Sequence, residues 1–433
     1  MSPESTTPDS PPWRRDRSVH LMTVAGIAFA AAGLLLGRPH LVAIATPLLL
    51  SATWATHRAP RGTVAATARA TPTTLRTDTL ETTLTVTAPP GATIVRLLVS
   101  SPGTTRSESM VRVEGTRDLR ISTPSVRTGT RELVTVDLIG ATTDGGWHQG
   151  ITHLEPHRVL VLPAVQRISG APVSAHLRGL TGEHRSRRLG DGTEMRDIAP
   201  YRSGDPLRRI DWRVTARRSA DARQLYVRRT YASAEACVIL AVDSRDDVGP
   251  EIATWGAFGA VRPDQQTSLD IAREAAATIA RAVIDAGDRV GLEDLGRLHA
   301  PVPLAGGKRH LHRIHHALAL TQPHGAPRVR ERAPQVPHGA LVYRFSTFLD
   351  DSAATIAHQW NAHGHHVIAV DTLPVEDAWG LSTQEHLAWR LTEIARQDRL
   401  TALADRGIRL LRWTDPTSRP TLQAAARERR PRR

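Results

Sequence analysis

The chain has 433 residues, 40% apolar and 23% charged, which suits two or three globular units and excludes wholesale disorder. Its one cysteine, Cys237, excludes an intramolecular disulfide framework and a Cys-rich zinc site; four Phe, four Tyr and nine Trp leave the core to aliphatic side chains. A net charge of +13, carried on arginine except for Lys308, points to acidic partners such as nucleic acid, anionic lipid or protein carboxylates.

Residues 1–18 are polar, rich in Pro, Ser and Thr, and read as a disordered tail ending in Arg14, Arg15 and Arg17. From Leu21 to Gly37 the chain carries no charge, enough for about 25 Å of helix against a hydrocarbon core of about 30 Å. After Arg38-Pro39-His40 a second uncharged run covers Leu41–Thr56, with Trp54 as an interfacial anchor and Pro47 tolerable in lipid. Two transmembrane helices are therefore expected within 19–57. Arg14, Arg15, Arg17, Arg58 and Arg61 flank them, and the turn holds only Arg38, so both ends and the bulk of the chain are expected in the cytoplasm. A cleaved signal peptide would leave the second run without purpose and lacks an A-x-A site before Pro39.

Residues 58–78, rich in Ala, Thr, Pro and Arg, read as a linker. Over 79–165 short Thr/Val-rich strands alternate with the turn signals Pro89-Pro90-Gly91, Ser101-Pro102-Gly103 and Asp144-Gly145-Gly146, predicting a small antiparallel β-sandwich without visible chemistry.

Residues 166–235 hold the most informative stretch. Between Gly182 and Arg229 thirteen Arg face seven acids. Gly190-Asp191-Gly192 reads as a permissive turn, and Asp205-Pro206 as a helix start, with Leu207 and Ile210 turned inward together and Trp212 just beyond. The stretch lacks the spacing and lysine of a phosphate loop, and has too few aromatics for nucleic-acid stacking. As a docking surface it offers bidentate donors to partner carboxylates, with acids interleaved for internal pairing.

The run Gly190, Gly192, Thr193, Glu194, Arg196, Asp197, Tyr201, Arg202, Gly204, Asp205, Arg208, Arg209, Ile210, Asp211, Trp212, Arg213, Ala216 and Arg217 resembles the DUF58 proteins of bacteria. Ala199-Pro200 departs from the charged pair common before the family's tyrosine. The resemblance extends over about 170–412. It implies a membrane-anchored layout in the bacterial inner membrane and a partner, a MoxR-type AAA+ ATPase, in assembly or maturation of other complexes.

Over 236–415 a doubly wound α/β domain is expected. Ala236–Val242 is a continuous apolar run suited to a central parallel strand, in which Cys237 is a small core residue. Helix 267–286 has Thr267 to cap it and Gly287 to stop it. Strands follow near 289–292, 340–345, 366–371 and 409–413, with helices near 308–320, 351–363 and 382–405. Gly287-Asp288-Arg289-Val290-Gly291-Leu292 resembles a strand entry of the von Willebrand factor A-like fold, many members of which hold Mg²⁺ through D-x-S-x-S and a later Thr and Asp. Here Asp243 is followed by Arg245 and Asp247 at the serine positions, and Thr347 stands where related chains show aspartate, so the site reads as degenerate and no metal or cofactor is expected. His312 and His316 lie four apart on a helix without an evident third ligand, and His363, His365 and His366 read as a turn into a strand. Residues 416–433 form a basic tail.

The sequence thus predicts a multidomain, non-enzymatic, membrane-anchored interaction protein. Tyr201, Gly204, Asp205, Arg208, Arg209, Asp211, Trp212 and Arg217 are its structural and docking residues. The alternatives are an electrostatic binder of nucleic acid or anionic lipid, with nucleic acid disfavoured, and a metal-dependent hydrolase at Asp243.

Overall fold

A computed structural model describes residues 5–6, 11–57, 59–70, 79–100, 106–124, 126–132, 134–155, 158–168, 171–172, 184–218, 224–234, 236–255, 261–296, 301–323, 330–418, 420–422 and 424. The chain divides into two compact units: residues 1–161 with 262–265, and residues 162–261 with 266–433.

The first unit begins with strands β1 (Ser5–Thr6) and β2 (Trp13–Arg15), followed by helices α1 (Arg17–Leu35) and α2 (Pro39–His57). Asp16 caps α1 by accepting the Ser18 N–H at 2.8 Å, and Gly37, at φ +63°, makes the turn between the helices. The helices pack on small residues. Val19, Gly26 and Gly33, seven apart, are the buried positions of α1, and Ala45, Ala52 and Ala55 those of α2. A Cβ on Gly33 would lie 2.6 Å from Val42 Cγ2, so glycine is what admits this approach. Leu21, Val24, Ile27, Leu34, Leu50 and Trp54 remain exposed around the pair. Among the described residues α1 alone is long and apolar enough to cross a membrane by length and composition, so the second span expected over α2 is not matched by that measure.

The tail and linker expectations need correction. Trp13–Arg15 pair antiparallel with β10 (Trp147–Gln149), and β3 (Ala65–Ala70) pairs with β4 (Thr79–Thr87). Val64, Ala66 and Ala68 supply the inward side chains, and alanine is too weakly apolar to announce a strand. The rest of the unit comprises β5 (Ile94–Ser100), β6 (Ser107–Arg112), β7 (Thr116–Pro124), β8 (Gly129–Glu132), β9 (Thr135–Ala141), β11 (Thr152–Leu154) and β12 (Arg158–Val161). One antiparallel sheet runs β1-β3-β4-β7; another runs β2-β10-β9-β5-β6, with β11 on β9; β12 pairs with β8. Leu84 and Val86 of the first sheet share one core with Val95, Leu97, Val136 and Leu138 of the second. The alternation legible in the sequence therefore places every second residue inward, as antiparallel sheets with one wet face require.

The second unit opens with a hairpin, β13 (His184–Pro200) and β14 (Tyr226–Ala234), where the sequence suggests a loop. Gly190 and Met195 both lie opposite Thr230, so the Gly-Asp-Gly segment is an irregularity within a strand, not a free turn. Between the two strands lie a 3₁₀ turn (Leu207–Arg209) and α3 (Trp212–Arg218).

There follow β15 (Cys237–Val242), α4 (Ser268–Asp285), β16 (Arg289–Asp294), β17 (Val302–Ala305), α5 (Lys308–Leu320), β18 (Leu341–Ser346), α6 (Asp351–Ala362), β19 (His366–Asp371), α7 (Thr383–Asp405) and β20 (Arg409–Arg412). Their sheet has the order β17-β16-β15-β18-β19-β20, parallel throughout except for the edge strand β17. Both faces of β15 are covered. Val238, Leu240 and Val242 join Ala275 and Ile279 of α4 and Ile314 of α5 in one core; Ile239 and Ala241 join Ile356 and Trp360 of α6 and Leu403 of α7 in another. Double coverage explains why β15 reads as an unbroken apolar run. Thr267 and Asp270 form a reciprocal capping box at the start of α4. The expected basic tail beyond residue 424 lies outside the described residues.

Candidate functional site

Two places carry unusual chemistry, both in the second unit. The first lies at the carboxyl ends of β15 and β18, adjacent parallel strands from which the sheet order departs in opposite directions. Crevices form at such switch points because the crossover helices leave on opposite faces. Asp243, just past β15, is buried there. Arg245 donates to it through Nε and Nη2, both at 2.8 Å; Arg344 Nη2 donates at 2.8 Å and the Ser346 hydroxyl at 3.0 Å. Arg245 also pairs with Asp350 at 2.8 Å, and Asp350 caps α6 by accepting the Ala353 N–H. Burial alone would raise the Asp243 carboxyl, but Arg344 and Arg245 hold it well below the usual carboxylate range. Asp246, largely by burial and then by the charges of Asp243 and Asp350, is raised; Thr347 Oγ1 lies 3.5 Å from it.

The predicted residues thus come together in part. Asp243 and Arg245 are in direct contact, Thr347 faces Asp246, and Asp247 is half-buried in the same loop. Sequence reasoning missed Arg344, whereas Ser346 and Asp350 lie in the later stretch that the sequence points to. Arg344 had a legible signal, a lone charge inside the apolar run Leu341–Phe345. Two guanidiniums occupy the cationic side of Asp243, so its lone pairs are engaged by the chain itself. Among the described residues no group of three or more His, Cys, Asp or Glu is arranged to hold a metal ion; His312 and His316 are exposed, and His310 is buried with Nε2 at 2.8 Å from Val290 O.

The second place is the turn between β13 and β14. Here the expected helix start at Asp205-Pro206 is overturned. The Asp205 carboxylate accepts the Arg202 N–H at 2.9 Å, closing a tight turn in which Gly204 takes φ +101°, and only three residues of 3₁₀ helix follow. Asp211 caps α3 instead, accepting the Val214 N–H at 3.1 Å. The side chain bonded backward and not forward, a choice that the Asp-Pro dipeptide leaves open.

Both acids are paired with β14: Asp205 with Arg229 at 3.2 Å and Asp211 with Arg228 at 3.0 Å. Backbone and arginine hydrogen bonds hold both carboxyls below the usual range. The Tyr201 N–H donates to Leu225 O, the Asp211 N–H to Tyr226 O, and Arg209 Nη1 to Thr230 Oγ1 at 2.8 Å, so the turn is stitched to the hairpin. Arg218 lies over the Tyr226 ring at 5.8 Å. The inward placement expected for Leu207 is also overturned: it is 67% exposed, as is Trp212, while Ile210 is half-buried and its backbone bridges Val227. A seven-residue helix on a two-stranded hairpin has too little surface to bury both faces. Arg208, Arg213 and Arg217 are exposed beside them.

The doubly wound unit and its stitched turn define a class of α/β protein with a basic, Trp-bearing appendage. A family model described as "Protein of unknown function DUF58" matches residues 197–378, and this stretch of the chain belongs to that family. The match runs from within β13 to beyond β19, taking in both places described above, and is shorter than the 170–412 expected. No curated protein and no solved structure matches the chain.

Proposed function

We propose that the chain is a non-enzymatic docking protein, anchored in the inner membrane by α1 and α2 with its bulk in the cytoplasm, which works with a MoxR-type AAA+ ATPase in assembling or maturing a complex. The observation that carries this reading is the turn 201–217. An exposed tryptophan and leucine stand among exposed arginines on a scaffold whose own acids are already paired. Trp and Arg are the residues that most often dominate binding energy at protein interfaces, and exposed guanidiniums match a partner's carboxylates. The von Willebrand factor A-like reading of the sheet is part of the proposal. It is supported by the strand order and by Asp243 at the switch point, with Arg245 and Arg344 supplying the charge that a cation would bring. The apolar exteriors of α1 and α2 support the anchor, since exposed leucines in such number are costly in water.

Co-purification of the full chain with a MoxR-type ATPase tests the proposal. Trp212→Ala is expected to weaken it by about 2 kcal/mol or more with stability unchanged to within about 0.5 kcal/mol. Equal co-purification of both chains would remove the docking role. Arg209 is a poor probe, because its bond to Thr230 makes charge reversal there a structural change.

A further inference from the structure

Where α1 and α2 meet the first unit's β-strands there is a cleft of about 980 Å³, at the upper end of the roughly 300–1,000 Å³ of small-molecule sites. We propose that this cleft binds an anionic phospholipid, a proposal that rests on the anchoring reading above. Its lining has apolar side chains, Val19 and Met22 of α1 and Leu50 and Trp54 of α2, together with the polar Ser18 and His57. The Asp144 carboxylate also borders it, but accepts the Thr142 hydroxyl at 2.5 Å and the Gly146 N–H at 3.1 Å within its own turn.

The cleft is built, not incidental. The Trp147 indole donates to Ala55 O at 2.6 Å, the Asp16 N–H to Gly146 O at 2.9 Å, and β2 joins the sheet immediately before α1 begins. Helix ends and sheet are thus fixed relative to each other, with the cleft between them. Leu50 and Trp54 of the lining also belong to the apolar exterior of the helices, which a bilayer would immerse in acyl chains. Charge selects the headgroup. Arg14, Arg15 and Arg17 are exposed within four residues of the lining positions Ser18 and Val19, and Arg61 is exposed beyond α2. Arg15 lies over the Trp147 ring at 5.3 Å, which places its charge beside the indole that holds Ala55. A phosphate-bearing anionic headgroup matches that flank, as basic clusters at membrane surfaces do.

The test is native mass spectrometry of the full chain released from vesicles of equal phosphatidylglycerol and phosphatidylcholine. The expected result is retained phosphatidylglycerol in clear excess over phosphatidylcholine. Ser51→Phe, which grows an exposed lining residue into the cleft, is expected to lower retention about tenfold while the chain stays in carbonate-washed vesicles. Arg15→Gln is expected to bring the two lipids to parity. An anchored wild-type chain that retains neither lipid, or both equally, overturns the proposal alone. A chain that washes out of the vesicles overturns the anchoring reading and the proposal with it.

Discussion

Asp243 is held by two guanidiniums and a hydroxyl, Arg245 from the loop that follows its own strand and Arg344 and Ser346 from β18. Removing the shared carboxylate would leave the fully buried Arg344 without its counter-charge. Asp243→Ala should therefore cost about 3–5 kcal/mol in denaturant unfolding, whereas replacing a surface arginine such as Arg213 should cost under about 0.5 kcal/mol. The signs of the pH dependence differ between the two nearby acids. Asp243 is depressed, so its contribution is complete above the ordinary carboxylate range and is lost as pH falls through the folded value. Asp246 is raised, so ionising it costs stability as pH rises from the ordinary value through the folded one. Asp246→Asn should accordingly raise the melting temperature at pH 7, and the gain should vanish near pH 4; a scan at both pH values checks it. At this scale the sequence was partly legible. Asp243 and Arg245 are two residues apart and disclose each other, but Arg344 lies a hundred residues away and meets them only through parallel pairing of β15 with β18.

Among the elements, those that bury a periodic apolar face were legible nearly to the residue. Helix α4 was expected over 267–286 and spans 268–285, and α5 was placed at 308–320 as found. The misreadings cluster where burial is slight or shared with polar pairing. β3 faces inward with alanines, and β13 and β14 pair through an irregular ladder while Arg228 and Arg229 of β14 bind the acids of the turn. Asp205-Pro206 failed as a helix signal because local side-chain bonding competes with capping. The helix pair α1–α2 gives an element-scale prediction. Gly33→Val would press a branched side chain into Val42, whose backbone N lies 3.0 Å from the new Cβ. It should separate the helices and lower the detergent-solubilised chain's melting temperature, while substitution of the exposed Leu34 by Val should not.

On the scale of the whole molecule, the charge of +13 resolves into local parts. Arg14, Arg15 and Arg17 flank α1, and within the turn region Arg228 and Arg229 neutralise Asp211 and Asp205. Exposed there are Arg213 and Arg217, beside Trp212 and Leu207. A nucleic-acid surface would be expected to interleave several stacking aromatics with its cations, and among the described residues of this turn Trp212 is the exposed ring. The most direct test places a photoactivatable cross-linking residue at position 212 of the full chain, expressed in bacterial cells, and identifies its adduct by mass spectrometry. The account predicts an adduct with a MoxR-type AAA+ ATPase that disappears when Arg213 is also reversed to Glu; an adduct with nucleic acid or lipid alone would contradict it.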